Sequence, residues 1–409
     1  MTRSNRLNLF FGIGSLVYLV LGIIFYYLKI TRYFVSMTNP ILIALVFISA
    51  LIIASNYFAN RSDIVSKSIQ IILKIVNYLF YIYFLTMIIN AILEIVWRQT
   101  QISPTVFFYL GIILLATLSV PLLSKLVISE ENNILRMIGI FLFYYMIITT
   151  PLTLKIGRTW FPDLALVTLL SFIFGSALVI FAMRKWGYRF PRFKINHNVN
   201  YWWLAGLILP SFLFMGFSVG SWTRLLSTPF TINLIAPFPE KSVLPVVFYV
   251  ICTILMTCFK EELIFRYLFL AQLLNIQKGN SKRKVLKSVL ISSLLFGLWH
   301  LKNLNHQPLF STLLQTLAAF ALGMIFSLVC LYTGTIWITV IMHSIFDLFM
   351  IDRAIPISPF QAQPNAFFVE YIILAAIIEI GLVLFILNKI NLEPFEQTIR
   401  ENRFLKVSN

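Results

Sequence analysis

The sequence predicts an all-α, polytopic transmembrane helix bundle of about twelve spans, and three observations carry that reading. Hydrophobic residues make up 59% of the 409-residue chain and charged residues only 11%, against roughly 45–50% and 25% in an ordinary soluble domain. The apolar excess is gathered into long runs such as Leu9 to Leu28, Ile41 to Ala54 and Leu164 to Met183, close to the roughly 20 residues that cross a bilayer as helix. Lys and Arg collect between the runs, as topology requires of loops held on one side of a membrane. This composition excludes a secreted disulfide scaffold, a disordered chain and a soluble nucleic-acid binder.

The expected spans, in order, are 8–28, 41–58, 75–97, 105–124, 137–154, 164–183, 201–219, 243–273, 287–301, 309–332, 335–350 and 367–388. Arg3 and Arg6 precede the first run, which exceeds a signal-peptide core and carries no small-residue cleavage site, so it reads as a retained span. Placing the N-terminus inside sets Arg184, Lys185, Arg189, Arg192 and Lys194 on one side with Lys278, Lys282, Arg283, Lys284 and Lys287. The tail, with Lys389, Arg400, Arg403 and Lys406, joins them, so both termini are expected on the cytoplasmic side of the plasma membrane. The net charge of +17, from 32 basic against 15 acidic residues, is therefore explained by topology and needs no nucleic-acid partner.

Domain organisation follows from the seam at 184–200, where Pro191, a charge run and the aromatics Trp186, Tyr188 and Phe190 interrupt the apolar pattern. A multi-span hydrophobic module at 1–184, a basic cytoplasmic linker at 185–200, a second domain at 201–390 and a cytoplasmic tail at 391–409 are expected. Six spans on either side would suit a transporter of two halves, but such a protein should show internal symmetry, and the halves share none. All four histidines, His197, His300, His306 and His343, fall in the second half. There the run from Val243 to Leu274 carries charges in its middle, while 287–301 and 335–350 are short. Interrupted and short helices are tolerated where they line an enclosed, water-accessible cavity, so one is expected among these elements.

Charges inside hydrocarbon cost roughly 2.5–3.5 kcal/mol each on insertion scales, which makes an intramembrane charge a functional candidate. Glu262 and Arg266 are four apart and share a helix face, where they can neutralise each other. Glu261 points about 100° away, toward a different environment in which a carboxylate can serve as a base. His300 closes the apolar run that contains Phe296, and His343 and Asp347 share a face at i, i+4 spacing. Each alone is compatible with a structural role. Together they supply the base and ligand types of a water-activating site.

Glu-Glu-x-x-x-Arg at 261–266, Phe-x-x-x-His at 296–300 and His-x-x-x-Asp at 343–347, in this order on hydrophobic helices, resemble the three motifs of the CPBP intramembrane protease family. That family includes the type II CAAX prenyl endopeptidases and the bacteriocin-processing or self-immunity (Abi) proteins, and the resemblance covers roughly residues 243–350. It implies a CPBP-type core in the second half and hydrolysis of a peptide bond in a peptide or membrane-protein substrate within the lipid bilayer. By position, Glu261 and His300 would activate water, His343 and Asp347 would stabilise the oxyanion, and Glu262, Arg266 and Phe296 would be structural or positioning. The motifs admit either a Zn2+ enzyme, with Glu261, His300, His343 and Asp347 as the candidate ligands, or a metal-free glutamate protease. Two residues depart from the pattern: Tyr267 stands where Gly is frequent, and Asp347 where Asn is common. An ionised carboxylate repels an oxyanion, so Asp347 must be protonated, orient His343 or help hold a metal.

The remaining candidates read as structural. Glu94 and Glu379 are expected to pair within the bundle, His197 and His306 to be solvated, and Cys252, Cys258 and Cys330 to pack in apolar runs without C-x-x-C spacing. The 39 Phe residues are packing and lipid-facing bulk, and Trp97, Trp160, Trp202 and Trp203 fit an interfacial belt. A non-catalytic membrane scaffold or immunity protein and a twelve-span transporter are the rival readings, and neither explains three motifs in order.

Overall fold

The computed structural model describes residues 104–149, 154–156, 159–161, 164–218, 254–350 and 366–389, with residue 395 and scattered residues between 67 and 100. The expected spans at 8–28 and 41–58, most of 75–97, and the residues Glu94, Trp97 and Cys252 lie outside the described residues. The chain divides into two compact units, Met1–Lys185 and Trp186–Asn409.

In the first unit, α1 (Pro104–Leu123) runs on into a π-helical turn at Ser124–Ile128. Helix α2 (Asn133–Thr149) starts where Asn132 Oδ1 accepts from the backbone N–H groups of Ile134 and Leu135, satisfying donors that the first turn leaves unpaired. A short antiparallel hairpin follows, β1 (Leu154–Ile156) on β2 (Thr159–Phe161) with Lys155 opposite Trp160. It is the one sheet among the described residues, and its first residue, Leu154, is the last residue of the expected span at 137–154. Helix α3 (Leu164–Lys185) completes the unit.

The second unit is helical. Helix α4 (Tyr201–Ser218) contains Pro210, α5 occupies 254–276, and α6 (Ser281–Trp299) continues as a 3-10 turn over His300–Asn305. Helices α7 (Leu309–Thr333), α8 (Trp337–Met350) and α9 (Ala366–Lys389) follow. The stretch expected as a short span at 287–301 is instead part of a long helix, because Asn280 caps it through a 3.0 Å bond from Arg283 N. Lys282, Arg283, Lys284 and Lys287, read as loop charges, form its first turns.

Among the described residues, three helical segments are long and apolar enough to cross a membrane: Ser281–Asn305, Leu309–Thr333 and Val369–Lys389. Helix α9 shows the pattern such a position demands, with Ile372, Ala375, Ala376 and Val383 buried and Ile373, Leu374, Ile377 and Ile378 exposed on the other side. An apolar outer face of that size is unfavourable in water and natural in lipid. Glu379 lies on the buried side, yet its Oε1 has no hydrogen-bond partner among the described residues, so the expected pairing is not seen.

The segment 186–200 does more than link. Trp186 and Tyr188 are buried, Phe190 meets Tyr267 edge-on, and Phe193 stacks on Trp337 with centroids 4.2 Å apart. Trp337 Nε1 donates to Pro191 O, Thr335 Oγ1 to Arg192 O, and Asn196 Nδ2 to Tyr332 O at the end of α7. These bonds fix the start of α8, whose next turns carry His343 and Asp347. Tyr267 is thus the buried partner of this segment, which is why a bulky residue is accommodated there.

Helices α6 and α7 pack closely because glycines stand at their contact. A Cβ on Gly297 would sit 2.8 Å from Thr316 O, and one on Gly323 would lie 3.0 Å from the Phe296 ring. Close approach here presses Phe296 into the interior, where its side chain is 2% exposed.

Candidate active site

Helix α5 supplies the acidic and basic groups. Its middle, Leu263–Leu270, is π-helical and wholly buried, and Ser292 Oγ of α6 donates to Phe265 O within it at 2.7 Å. A side chain that bonds a backbone carbonyl in this way stabilises a departure from the regular ladder, and π segments recur at functional sites. Cys258, Glu261 and Glu262 lie in the turn before it and Arg266 inside it. The side chains of Glu262 and Arg266 are both fully buried, with Arg266 Nε 3.1 Å from Glu262 Oε2. The Arg266 guanidinium also lies over the rings of Phe296 (4.9 Å) and Phe326 (5.9 Å). Aromatic faces stabilise a cation that has lost its water.

The other oxygen of Glu262 accepts from His343 Nδ1 at 3.1 Å. A carboxylate only accepts, so the proton is on Nδ1, and Nε2 is turned toward Glu261 Oε2 at 3.8 Å and Asp347 Oδ1 at 3.7 Å. Both separations are too long for hydrogen bonds and suit an intervening group. Asp347 Oδ2 in turn accepts from the Cys258 thiol at 3.3 Å. The Cys258, His343 and Asp347 donor atoms lie within 4.8 Å of one another. On the other flank, Glu261 Oε1 accepts from Trp299 Nε1 at 3.3 Å and is 3.9 Å from Lys302 Nζ, which lies over the Trp299 ring.

His300 is held differently. Its Nδ1 donates to the Phe296 carbonyl at 3.0 Å, which leaves Nε2 as the free nitrogen. The Phe296 ring packs perpendicular to both imidazoles, 5.1 Å from His300 and 5.7 Å from His343. The three sequence motifs thus converge around one phenylalanine, contributed by α5, α6 and α8 and backed by Phe326 of α7, 5.3 Å from His343. Lys302 and Asp347, whose side chains are 43% and 37% exposed, mark the open side of the cluster, while Glu261 and His343 lie almost covered behind them.

Sequence reasoning missed Cys258. A thiol within an apolar run looks like any small hydrophobe, yet its i, i+3 and i, i+4 spacing to Glu261 and Glu262 signals a shared helix region. The group of three donors also differs from the expected ligand set: Cys258 is in it with His343 and Asp347, and Glu261 and His300 are not. His197 and His306 are exposed, as solvated residues should be. Cys330 is buried, consistent with packing.

A thiol, an imidazole whose Nδ1 is engaged by a carboxylate, and a second carboxylate are donor types that zinc takes.

Helical spans that enclose carboxylates and histidines define a class, the polytopic membrane proteins with a polar centre inside the bundle. Within that class, a family model described as Type II CAAX prenyl endopeptidase Rce1-like matches residues 243–349, which contain all three motifs. The match supports the assignment of this segment to the CPBP intramembrane protease family. No curated protein and no solved structure matches the chain. The family is one of proteases, and with the apolar helices it supports an integral membrane protein.

Proposed function

We propose that the protein is an intramembrane endopeptidase that hydrolyses a peptide bond with water activated between Glu261, His343 and Asp347. The observation that carries the reading is the placement of His343 Nε2 between two carboxylate oxygens at 3.8 and 3.7 Å, with its other nitrogen anchored to a buried ion pair. Glu261 is the base: it accepts the proton of the attacking water and returns it to the leaving amine, so no covalent enzyme intermediate is needed. Trp299 and Lys302 hold its Oε1, which leaves Oε2 toward His343. His300 Nε2, free because Nδ1 is bonded to Phe296 O, faces the reaction from α6 and supports water or substrate.

Asp347 accepts a hydrogen bond from Cys258 and so does not act as the amide that the motif usually carries. Its role is to hold a centre beside His343. A divalent cation bound there would polarise the scissile carbonyl and acidify the water.

The substrate enters from the side of Lys302 and Asp347 and is a peptide or a membrane-protein segment. The resemblance to bacteriocin-processing and self-immunity proteins brings peptide signals and bacteriocins into that class. The basic segments support a cytoplasmic location of the termini. Mass spectrometry of peptide termini in membranes carrying wild-type protein or the variants Glu261→Ala, His300→Ala and His343→Ala tests the reading. Termini present only with the wild type are expected; the same termini in all four membranes would overturn it.

A further inference from the structure

The start of α6 carries an inference that is independent of the hydrolase reading. We propose that this edge of the second unit binds an anionic phospholipid, with its phosphodiester headgroup at Arg283 and Lys287 and an acyl chain along the apolar face of α6 beyond them.

The first turn of α6 holds Lys282, Arg283 and Lys284 and no acidic residue. A helix N-terminus already carries partial positive charge, so cations are disfavoured there and an anion is favoured. Asn280 Oδ1 accepts from Arg283 N, which satisfies a backbone donor but supplies no charge. Lys282 Nζ donates to Asn388 Oδ1 at 2.5 Å, another neutral partner, and this bond brings Lys389 at the end of α9 to the same edge. Among the described residues the cations in ion pairs are Lys74, Arg266, Lys302 and His343, so Lys282, Arg283, Lys284, Lys287 and Lys389 have no counterion there. Cations gathered in this way at two helix ends call for an anion from outside the chain.

The adjoining surface selects the anion. Arg283, Lys287, Ile291, Leu294 and Leu298 are all exposed, and at 100° per residue they fall within about 80° of one another around α6. This stripe is cationic at its start and apolar for about 10 Å between Ile291 and Leu298. A free phosphate would use only its first part, whereas a phospholipid matches both. The same edge lies at headgroup depth. Helices α6 and α7 run antiparallel, since Ser293 meets Ser327 and Gly297 lies against Thr316, so the start of α6 is beside the end of α7. There Asn200 N donates to the Tyr332 hydroxyl, and the next residues, Tyr201 and Trp202, are exposed as interfacial aromatics are. Basic residues beside a span attract anionic headgroups at that depth.

The test is native mass spectrometry of the full-length protein, stripped of lipid in a neutral detergent and titrated with dioleoyl phosphatidylglycerol or dioleoyl phosphatidylcholine. The wild type should retain phosphatidylglycerol at concentrations where phosphatidylcholine is lost. Arg283→Gln with Lys287→Gln should weaken phosphatidylglycerol binding by at least about tenfold. Arg283→Lys with Lys287→Arg keeps both charges and should bind nearly as the wild type does. Lys260→Gln with Lys302→Gln removes two charges on the side of the candidate site instead, and should leave binding unchanged. Both α6 positions are exposed, and the single variants Arg283→Gln and Lys287→Gln repeat the comparison if the pair does not yield monodisperse protein. Equal retention of the two lipids, unchanged binding in the α6 glutamine variants, an equal loss in both glutamine pairs, or displacement of the lipid by equimolar inorganic phosphate overturns the inference. Cleavage is not the readout, so each of these outcomes leaves the hydrolase reading standing.

Discussion

His343 Nδ1 donates to Glu262 Oε1 at 3.1 Å, and the same glutamate meets Arg266 Nε at 3.1 Å through its other oxygen. One fully buried carboxylate therefore does two jobs: it neutralises a buried guanidinium and it sets the tautomer of an imidazole in the candidate site. Removing it should damage both. Glu262→Ala leaves Arg266 uncompensated, and breaking such a buried pair costs about 3–5 kcal/mol. Thermal unfolding in detergent should show that loss. The double variant Glu262→Gln with Arg266→Met, which removes both charges, should recover most of it, because a well-packed apolar replacement escapes the desolvation cost. Its cleavage rate should still stay about 10–100-fold below wild type, since the anchor on His343 is weakened.

Glu261 stands apart from its neighbour in the chain. It bonds Trp299 and faces His343, with no contact to Arg266 among its ion pairs. Glu261→Gln keeps shape and hydrogen bonding but removes the base. Its rate should fall by about 10²–10⁴-fold with an unchanged melting temperature. A variant that loses stability along with activity would place Glu261 among the structural residues.

Lys302 is half exposed over the Trp299 ring, 3.9 Å from Glu261. A long contact whose cation is open to water contributes little and is screened by salt. Lys302→Gln should lower the cleavage rate by less than about tenfold, and the difference from wild type should shrink as ionic strength rises. Rates measured across a salt series decide it.

Gly297 lies one residue beyond Phe296, at the closest approach of α6 and α7. Gly297→Ala forces a methyl group to 2.8 Å from Thr316 O, and overpacking typically costs about 1–3 kcal/mol. Because Phe296 packs against both imidazoles, the shift should slow cleavage as well as lower the melting temperature. Gly206, with open space around it, is the control: its Ala variant should lose neither.

What could be read in the sequence were the residues that violate the membrane rule. Glu261, Glu262, Arg266, His300, His343 and Asp347 stand out in apolar helices, and the fold gathers them from α5, α6 and α8 around Phe296. Cys258 was invisible for the converse reason, since a thiol breaks no hydropathy pattern and only its contact with Asp347 reveals it. Charge also misled at two places. Lys282 to Lys287 looked like loop but form the start of α6 behind the Asn280 cap, because charged residues are good helix formers at a membrane edge. The segment 185–200 reads in the sequence as a basic cytoplasmic linker, and its aromatics and backbone carbonyls dock on α5 and the start of α8 through contacts that no local pattern encodes. Glu379 shows the limit of the rule itself: it is buried in a span, as conspicuous as Glu261, and stands outside the cluster.

The central claim is that this cluster hydrolyses peptide bonds. The most direct measurement is mass spectrometry of new carboxyl termini formed when purified protein in liposomes is incubated with membrane proteins in 18O-labelled water. The account predicts termini carrying 18O with wild-type protein and their absence with Glu261→Gln. Labelled termini that form equally with Glu261→Gln, or no labelled termini with the wild type, would contradict it.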